Sequence, residues 1–491
     1  MLQCLVCIRM QTKILNDDVE ELFADMKLIF SQNVKSFFIV WLSILLVSAC
    51  LPVTAFADVR NSDEIKGTSA ESLGYTASVL PNISAEYAYV VDQDGQEYFA
   101  RNAHEKTKIA SVTKIMTAIV SLENSDESTR IEVSSGAASI GESSAMLQAG
   151  DVLSRDDALR ALMICSGNDA AQALAENLGN GILDKMREEG RENLPSNGYD
   201  AFIQAMNDKA QELGMNDSRF GNPHGLDFDK YQGDFYSSAY DVSLMSRCAM
   251  QSDLFRSIVS TPKATITVTR NGVETPLELI STDLFLESYE GACGIKTGFT
   301  ELAGSCFAGA AKRNDTITYA IILHASDEQQ RFTDCKTLLN WVYDNTISYP
   351  LVHSTQTVSM TYNNQTQEVP VVAKVSNNSW IDETFDATLQ NPSETVEIFA
   401  LEGNVSQEAV FDDVQGDVRA GQKVGTLSFK QHNEVIAAAD IIAAQDCAGP
   451  NFFEGVGIFW DRAIRSITGQ PTQAASVLVN TTPLVSDMKA A

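Results

Sequence analysis

The sequence predicts a mixed α/β domain followed by a small all-β domain and a C-terminal amphipathic helix. Three observations carry this. Stretches of helical period and strand-like runs are interspersed up to about residue 347. After Pro350 the chain turns rich in Val, Thr and Ser, with short alternating runs such as QTVSMTY, VPVVAKV and KVGTLSF. Residues 452–467 then put Phe452, Phe453, Val456, Phe459, Trp460, Ala463, Ile464 and Ile467 on one helical face, with Glu454, Asp461, Arg462 and Arg465 opposite.

The elements follow in order. Residues 37–49 (FFIVWLSILLVSA) are too short an apolar run for a membrane span but suit a signal-peptide core. Lys27 and Lys35 precede it, and Ala55-Phe56-Ala57 follows as a small-x-small cleavage site. Residues 1–57 therefore read as leader and signal peptide. Met26-Lys27 is a better start than Met1, because Asp17, Asp18, Glu20, Glu21 and Asp25 are acidic where a signal should be basic. Cleavage ahead of a lipidated Cys50, in Val47-Ser48-Ala49-Cys50, is the rival route. Residues 58–74 are polar and read as a linker, with ordered sequence expected near Ile83.

The expected catalytic domain spans 75–347. Residues 87–99 read as two strands around an Asp94-Gly95 turn. Helices are expected at 111–123, at 156–178 with a break at Ser166-Gly167-Asn168, at 201–213, 237–250 and 329–343, and strands near 264–269, 303–311 and 316–324. The β-rich domain spans 350–447, the helix 450–468 is read as a membrane anchor lying in a lipid surface through 452–467, and 469–491 reads as a disordered tail.

The chain has 491 residues and a formal net charge of -30. Such a polyanion argues against non-specific nucleic-acid binding and against electrostatic attraction to anionic lipid. Cys4-Leu-Val-Cys7 lies in the leader, so metal or redox chemistry is not expected there. The six cysteines after residue 57 have no tight spacing and are expected mostly as buried free thiols.

Three short motifs carry chemistry: Ser111-Val112-Thr113-Lys114, Ser166-Gly167-Asn168 and Lys296-Thr297-Gly298. Each alone is weak, and together in this order they are specific. Ser and Lys at i and i+3 share a helix face. A serine hydroxyl needs a base, and a lysine serves when burial and a second cation, here Lys296, lower its pKa. Ser166 and Asn168 can relay protons and hold a substrate amide. Lys296 and Thr297 suit a terminal carboxylate, and Gly298 a close approach by a substrate backbone.

Together with KIASVTKIMTAIVSLE, LMICSGNDAAQALAE, RFGNPHGLD, SSAYDVSLMSR and GIKTGFTELAGSCFAGAAKR, these motifs resemble the low-molecular-weight D-alanyl-D-alanine carboxypeptidases, penicillin-binding proteins. The resemblance implies a serine β-lactamase/D,D-peptidase-like sandwich fold. It implies nucleophile Ser111, base Lys114, second-motif residues Ser166 and Asn168, and substrate-binding Lys296, Thr297, Gly298 and Phe299, with the Ser111 and Phe299 N–H groups as oxyanion hole. The implied substrate is a peptidoglycan stem peptide ending in D-Ala-D-Ala, with β-lactams as inhibitors and no metal or cofactor. The implied location is the outer face of the cytoplasmic membrane or the cell wall. A D,D-endopeptidase or a non-catalytic peptidoglycan or β-lactam receptor is the alternative. A β-lactamase is disfavoured because FGNPHGLD lacks the glutamate needed for deacylation. Arg331 is the only arginine in LHASDEQQRF that could serve the substrate carboxylate, and whether it reaches the site is open. His224 reads as structural.

Overall fold

The computed structural model describes residues 62–489, so the expected leader, signal peptide and cleavage sites lie outside the described residues. The central feature is a seven-stranded antiparallel sheet. Its strands come from β1 (Asp63–Ile65), β2 (Thr68–Ser69), β3 (Tyr87–Asp92), β4 (Glu97–Arg101) and, past a second sheet, the 292–325 segment. That second, four-stranded sheet comprises β5 (Arg130–Glu132), β6 (Val152–Ser154), β7 (Lys263–Arg270) and β8 (Val273–Ile280). The main sheet is completed by β9 (Ala292–Thr300), β10 (Gly304–Arg313) and β11 (Thr316–Ala325), in the order β2-β1-β4-β3-β11-β10-β9.

Because successive side chains in a strand point to opposite faces, each strand feeds two cores. Tyr89, Val91, Tyr319 and Ile321 face one core, shared with helices α1 (Lys114–Glu123), α2 (Arg155–Met163), α3 (Asn168–Glu188), α4 (Gly198–Glu212) and α5 (Ala239–Ala249). Ala88, Val90, Ala320 and Ile322 face the other, covered by α6 (Gln330–Asn345) through Phe332, Leu338 and Leu339. The result is a helix–sheet–helix sandwich, as the sequence predicts. Helix α1 is buried on nearly every side, which suits its run Ile115, Met116, Ala118, Ile119 and Val120.

The C-terminal region is β-rich. Strands β12 (Thr346–Pro350), β15 (Ala373–Ser376), β16 (Thr384–Leu389), β17 (Thr395–Phe399), β18 (Val405–Phe411), β19 (Lys423–Gln431) and β20 (Glu434–Ala443) surround Tyr349, Phe385, Leu427, Phe429 and Ile441, while β13 (Thr357–Tyr362) and β14 (Gln365–Pro370) form a separate hairpin whose Met360 and Val369 pack on Ile442 and Ala444. The region meets the sandwich through Phe399, whose ring packs edge-on against Tyr98 and Trp341 at 5.2 and 5.4 Å.

Two sequence expectations are corrected. Residues 63–69, read as part of a linker, form a hairpin on the edge of the main sheet. Ile65 is buried, and Asp63 makes a buried two-point pair with the Arg101 guanidinium at 2.5 and 2.8 Å. Polar composition concealed this strand because its one buried carboxylate is neutralised by a distant partner. Residues 469–491, read as disordered, include an ordered return. After α7 (Phe452–Thr468), strand β21 (Val477–Leu478) pairs with β15, and Asn480 is buried. The Asn480 side chain accepts from His353 N–H and donates to the Leu351 carbonyl and the Gln407 amide oxygen. A two-residue strand held by one amide has no periodic signal to read.

Helix α7 is capped by Asn451 in a capping box with Glu454 and ends at left-handed Gly469. Its polar side meets the β region. Arg462 donates to the carbonyls of Asn378 and Trp380, and Arg465 pairs with Asp382. Its apolar side faces outward, and none of its residues is buried. No helix of the described residues is long and apolar enough to cross a membrane. The six cysteines of the described residues are unpaired thiols, with Cys306 and Cys335 buried and the other four half-buried.

Candidate active site

The three motifs meet in one cleft of about 510 Å³ between α3 and the free edge of β9. Ser111 sits in a single 3₁₀ turn, Ala110–Thr113, and α1 begins only at Lys114. The helix therefore starts three residues later than the sequence suggests. The i, i+3 spacing still puts both side chains on one side, with Lys114 Nζ 2.8 Å from Ser111 Oγ.

Lys114 is fully buried. Besides Ser111, its Nζ reaches Asn168 Oδ1 at 2.6 Å and the His224 carbonyl at 3.0 Å. Both of these are acceptors only. A neutral amine has two N–H donors and one lone pair, so satisfying both acceptors leaves the lone pair for the Ser111 hydroxyl proton. Burial, followed by the charge of Lys296, holds the Lys114 amine well below the usual lysine range.

The second motif is held by its backbone. Ser166 is buried with φ of 62°, in the left-handed region. The side chain of Asn168 donates to Gly141 O, and its N–H donates to Ser143 O. Asp169, which the sequence reading did not single out, ties this loop down. Its carboxylate accepts from Ser144 Oγ and from the N–H groups of Ala145 and Leu147.

The third motif lies on β9. Lys296 is buried and its pKa is pushed down to about 7, first by burial and then by Arg331. Thr297 Oγ1 is 2.7 Å from Thr282 Oγ1. Gly298 was expected to make room for a substrate, and the space it leaves is taken by the protein itself. A Cβ there would lie 2.8 Å from Ile109 O and 3.1 Å from Ser111 N, so the missing side chain lets β9 press against the Ser111 turn. Phe299 stands half-exposed at the rim.

Arg331, left open by the sequence, does reach the cleft wall. It is buried, donates to Gly298 O at 3.1 Å and approaches Glu328 at 3.4 Å. His224 contributes its carbonyl to Lys114, while its Nδ1 accepts from Leu226 N–H. Burial pushes its pKa to about 3, so the ring is neutral. Gly225 follows at φ of 86°, where a Cβ would fall 1.9 Å from Ala110 O. The NPHGLD loop thus fits directly against the nucleophile turn. A larger cleft of about 810 Å³, lined by Tyr199, Gln204, Lys230 and Phe235, lies on the other side of this loop and holds no motif residue. No cluster of three or more His, Cys, Asp or Glu suited to a metal occurs among the described residues.

A family described as D-alanyl-D-alanine carboxypeptidase matches residues 75–189 and 192–327. The chain belongs to this family. It is 27% identical to D-alanyl-D-alanine carboxypeptidase DacF of Bacillus subtilis over 75% of this chain and 87% of that protein. It is 26% identical to a D-alanyl-D-alanine endopeptidase of Escherichia coli over 56% of this chain and 82% of that protein. A crystal structure of the Streptomyces K15 DD-transpeptidase aligns at 27% identity with a TM-score of 0.48, covering 53% of this chain and 97% of that one. The chain combines the three motifs with a β-rich region and an outward-facing amphipathic helix.

Proposed function

We propose that this carboxypeptidase removes the terminal D-alanine from peptidoglycan stem peptides through an acyl-enzyme on Ser111. The observation that carries the reading is the buried Lys114 amine, 2.8 Å from Ser111 Oγ, with both of its other partners acceptors only.

The reaction runs as follows. Ser111 Oγ attacks the carbonyl between the last two D-alanines and gives its proton to Lys114 Nζ. The oxyanion sits between the N–H groups of Ser111 and Phe299, where donors aimed at developing charge contribute strongly. The C–N bond breaks as the D-alanine amine takes a proton from the Lys114–Ser166 side. Water then adds to the ester carbonyl as Lys114 takes a proton from it, and Lys114 passes that proton to Ser111 Oγ as the ester C–O bond breaks, releasing the stem peptide as a free acid and restoring the serine hydroxyl. Asn168 holds the substrate amide. Thr297, Lys296 and Arg331 provide the positive and donor-rich end that suits a terminal carboxylate. The free edge of β9 supports docking of the peptide as an added strand. A β-lactam offers the same carboxylate and acyl carbonyl and acylates Ser111 in the same way.

The protein acts outside the cytoplasm, exported by the signal at 37–57, and α7 lies in the membrane surface. The outward Phe452, Phe453, Phe459, Trp460 and Ile467 support this. With a net charge of -30, attachment is hydrophobic rather than electrostatic.

The test labels the purified protein with a fluorescent penicillin and assays D-alanine release from a D-Ala-D-Ala pentapeptide, beside Ser111→Ala. Labelling and release that both vanish in the variant support the proposal. Labelling without release on the pentapeptide, with cleavage of cross-linked muropeptides, moves the reading to an endopeptidase, the activity named for the E. coli relative. Unlabelled, well-folded protein overturns it.

A further inference from the structure

Between β8 and β9, Thr282 stands in the cleft wall with its hydroxyl 2.7 Å from that of Thr297. No motif marks it. Its surroundings are fixed on both sides. The Ser281 N–H donates to Pro262 O at 2.8 Å, and the Thr282 N–H donates to Ile164 O at 3.2 Å. Asp283 N–H donates to Ser281 Oγ, and Phe285 N–H to Asp283 Oδ1. Phe285 is fully buried, stacked on Tyr289 at 4.9 Å and edge-on to Phe307 at 5.6 Å. Ile164 lies two residues before Ser166, so Thr282 is joined through its backbone to the segment that leads into the second motif and through its side chain to the third.

The chemistry of the pair has a direction. Each hydroxyl has one proton and can also accept, whereas an ionised carboxylate only accepts. If the buried Thr297 donates to a substrate carboxylate, its contact with Thr282 is satisfied only when Thr282 is the donor. Two hydroxyls in series that end on an anion polarise one another.

We infer that Thr282 is a positioning residue: it donates to Thr297 and so aims the Thr297 hydroxyl at the terminal carboxylate, making the pair the selector of acid-ended over amide-ended peptides. This rests on the carboxypeptidase reading above.

The test compares full-length wild type, Thr282→Val and Thr282→Ser on two peptides that differ only in ending, D-Ala-D-Ala acid and D-Ala-D-Ala amide. Thr282→Val is expected to lose about tenfold or more in kcat/KM on the acid, mainly through KM, and to be within about twofold of wild type on the amide. Thr282→Ser, which keeps the hydroxyl, is expected to stay within about threefold of wild type on both. A Thr282→Val enzyme equal to wild type on the acid overturns the inference while the carboxypeptidase reading stands. Equal losses on both peptides, or a serine variant as weak as the valine one, also overturn it, because they mark a merely structural role. Wild type inert on both peptides removes the underlying reading instead.

Discussion

The cleft and the C-terminal helix invert the ordinary distribution of residues in opposite senses. Around the cleft, Lys114 and Lys296 are almost wholly enclosed, and Arg331 and Asp283 are nearly so. On α7, Phe452, Phe453, Phe459, Trp460 and Ile467 are more than half exposed, while the polar side is turned inward to the protein. Burying a charge without full compensation is costly, and so is leaving a large apolar stripe in water. Neither arrangement favours a stable fold for its own sake. The rest of the chain, with its two-faced sheet and ordinary apolar cores, carries the stability that both depart from. The contrast teaches where chemistry resides: charge forced inward tunes a reaction, and apolar surface forced outward awaits a partner.

The comparison can be broken most severely at Lys114. Lys114→Met keeps the volume and removes the amine, and penicillin acylation should fall roughly a thousandfold or more, read by stopped-flow labelling. A fall below tenfold would mean that the enclosed amine is not the base. Gly298→Ala comes next. Its Cβ would collide with Ile109 O and push β9 from the Ser111 turn, and roughly a hundredfold loss in acylation is expected from a misplacement near 1 Å. Unchanged kinetics would show that the two segments part without consequence.

A third test concerns pH. Lys114 works as a base when neutral, so acylation should rise as pH climbs through its pKa. The Lys296 cation lowers that pKa. Lys296→Met removes the cation and should therefore move the rising limb of the acylation profile to higher pH. Because Lys296 itself titrates at about 7, the difference should be greatest on the acid side of neutrality. A limb shifted to lower pH, or not at all, would remove Lys296 from this role. The smallest effect belongs to the C-terminal region. Asn480→Ala should lower stability by about 1–3 kcal/mol in urea titration and leave penicillin labelling intact. Loss of labelling would show that the β-rich region and the cleft do not act independently.

What could be read from the sequence was what is local in it. Ser111 and Lys114 lie within one turn, Ser166 and Asn168 within three residues, and Lys296 to Gly298 are consecutive, so composition and spacing expose them. The apolar stripe of α7 is equally local. Groups that act through distant partners stayed hidden. Asp63 looked like linker because Arg101, which neutralises it, is 38 residues away. Asp169 differs from any helix-start acid only in the loop it gathers, and Thr282 only in its distant partners Ile164 and Thr297. Gly298 was legible as a place of close approach, but not which backbone does the approaching.

The return of the chain after α7 has a mechanical consequence. The helix is attached to the β-rich region through the backbone at both ends, before Asn451 and again at β21, and in between by two guanidinium groups. A helix joined by a single peptide link would swivel, whereas one attached at several points transmits torque. On the proposal that α7 rests on a lipid surface, the β-rich region would act as a post of set height, and the cleft would reach peptidoglycan only within a narrow shell above that surface.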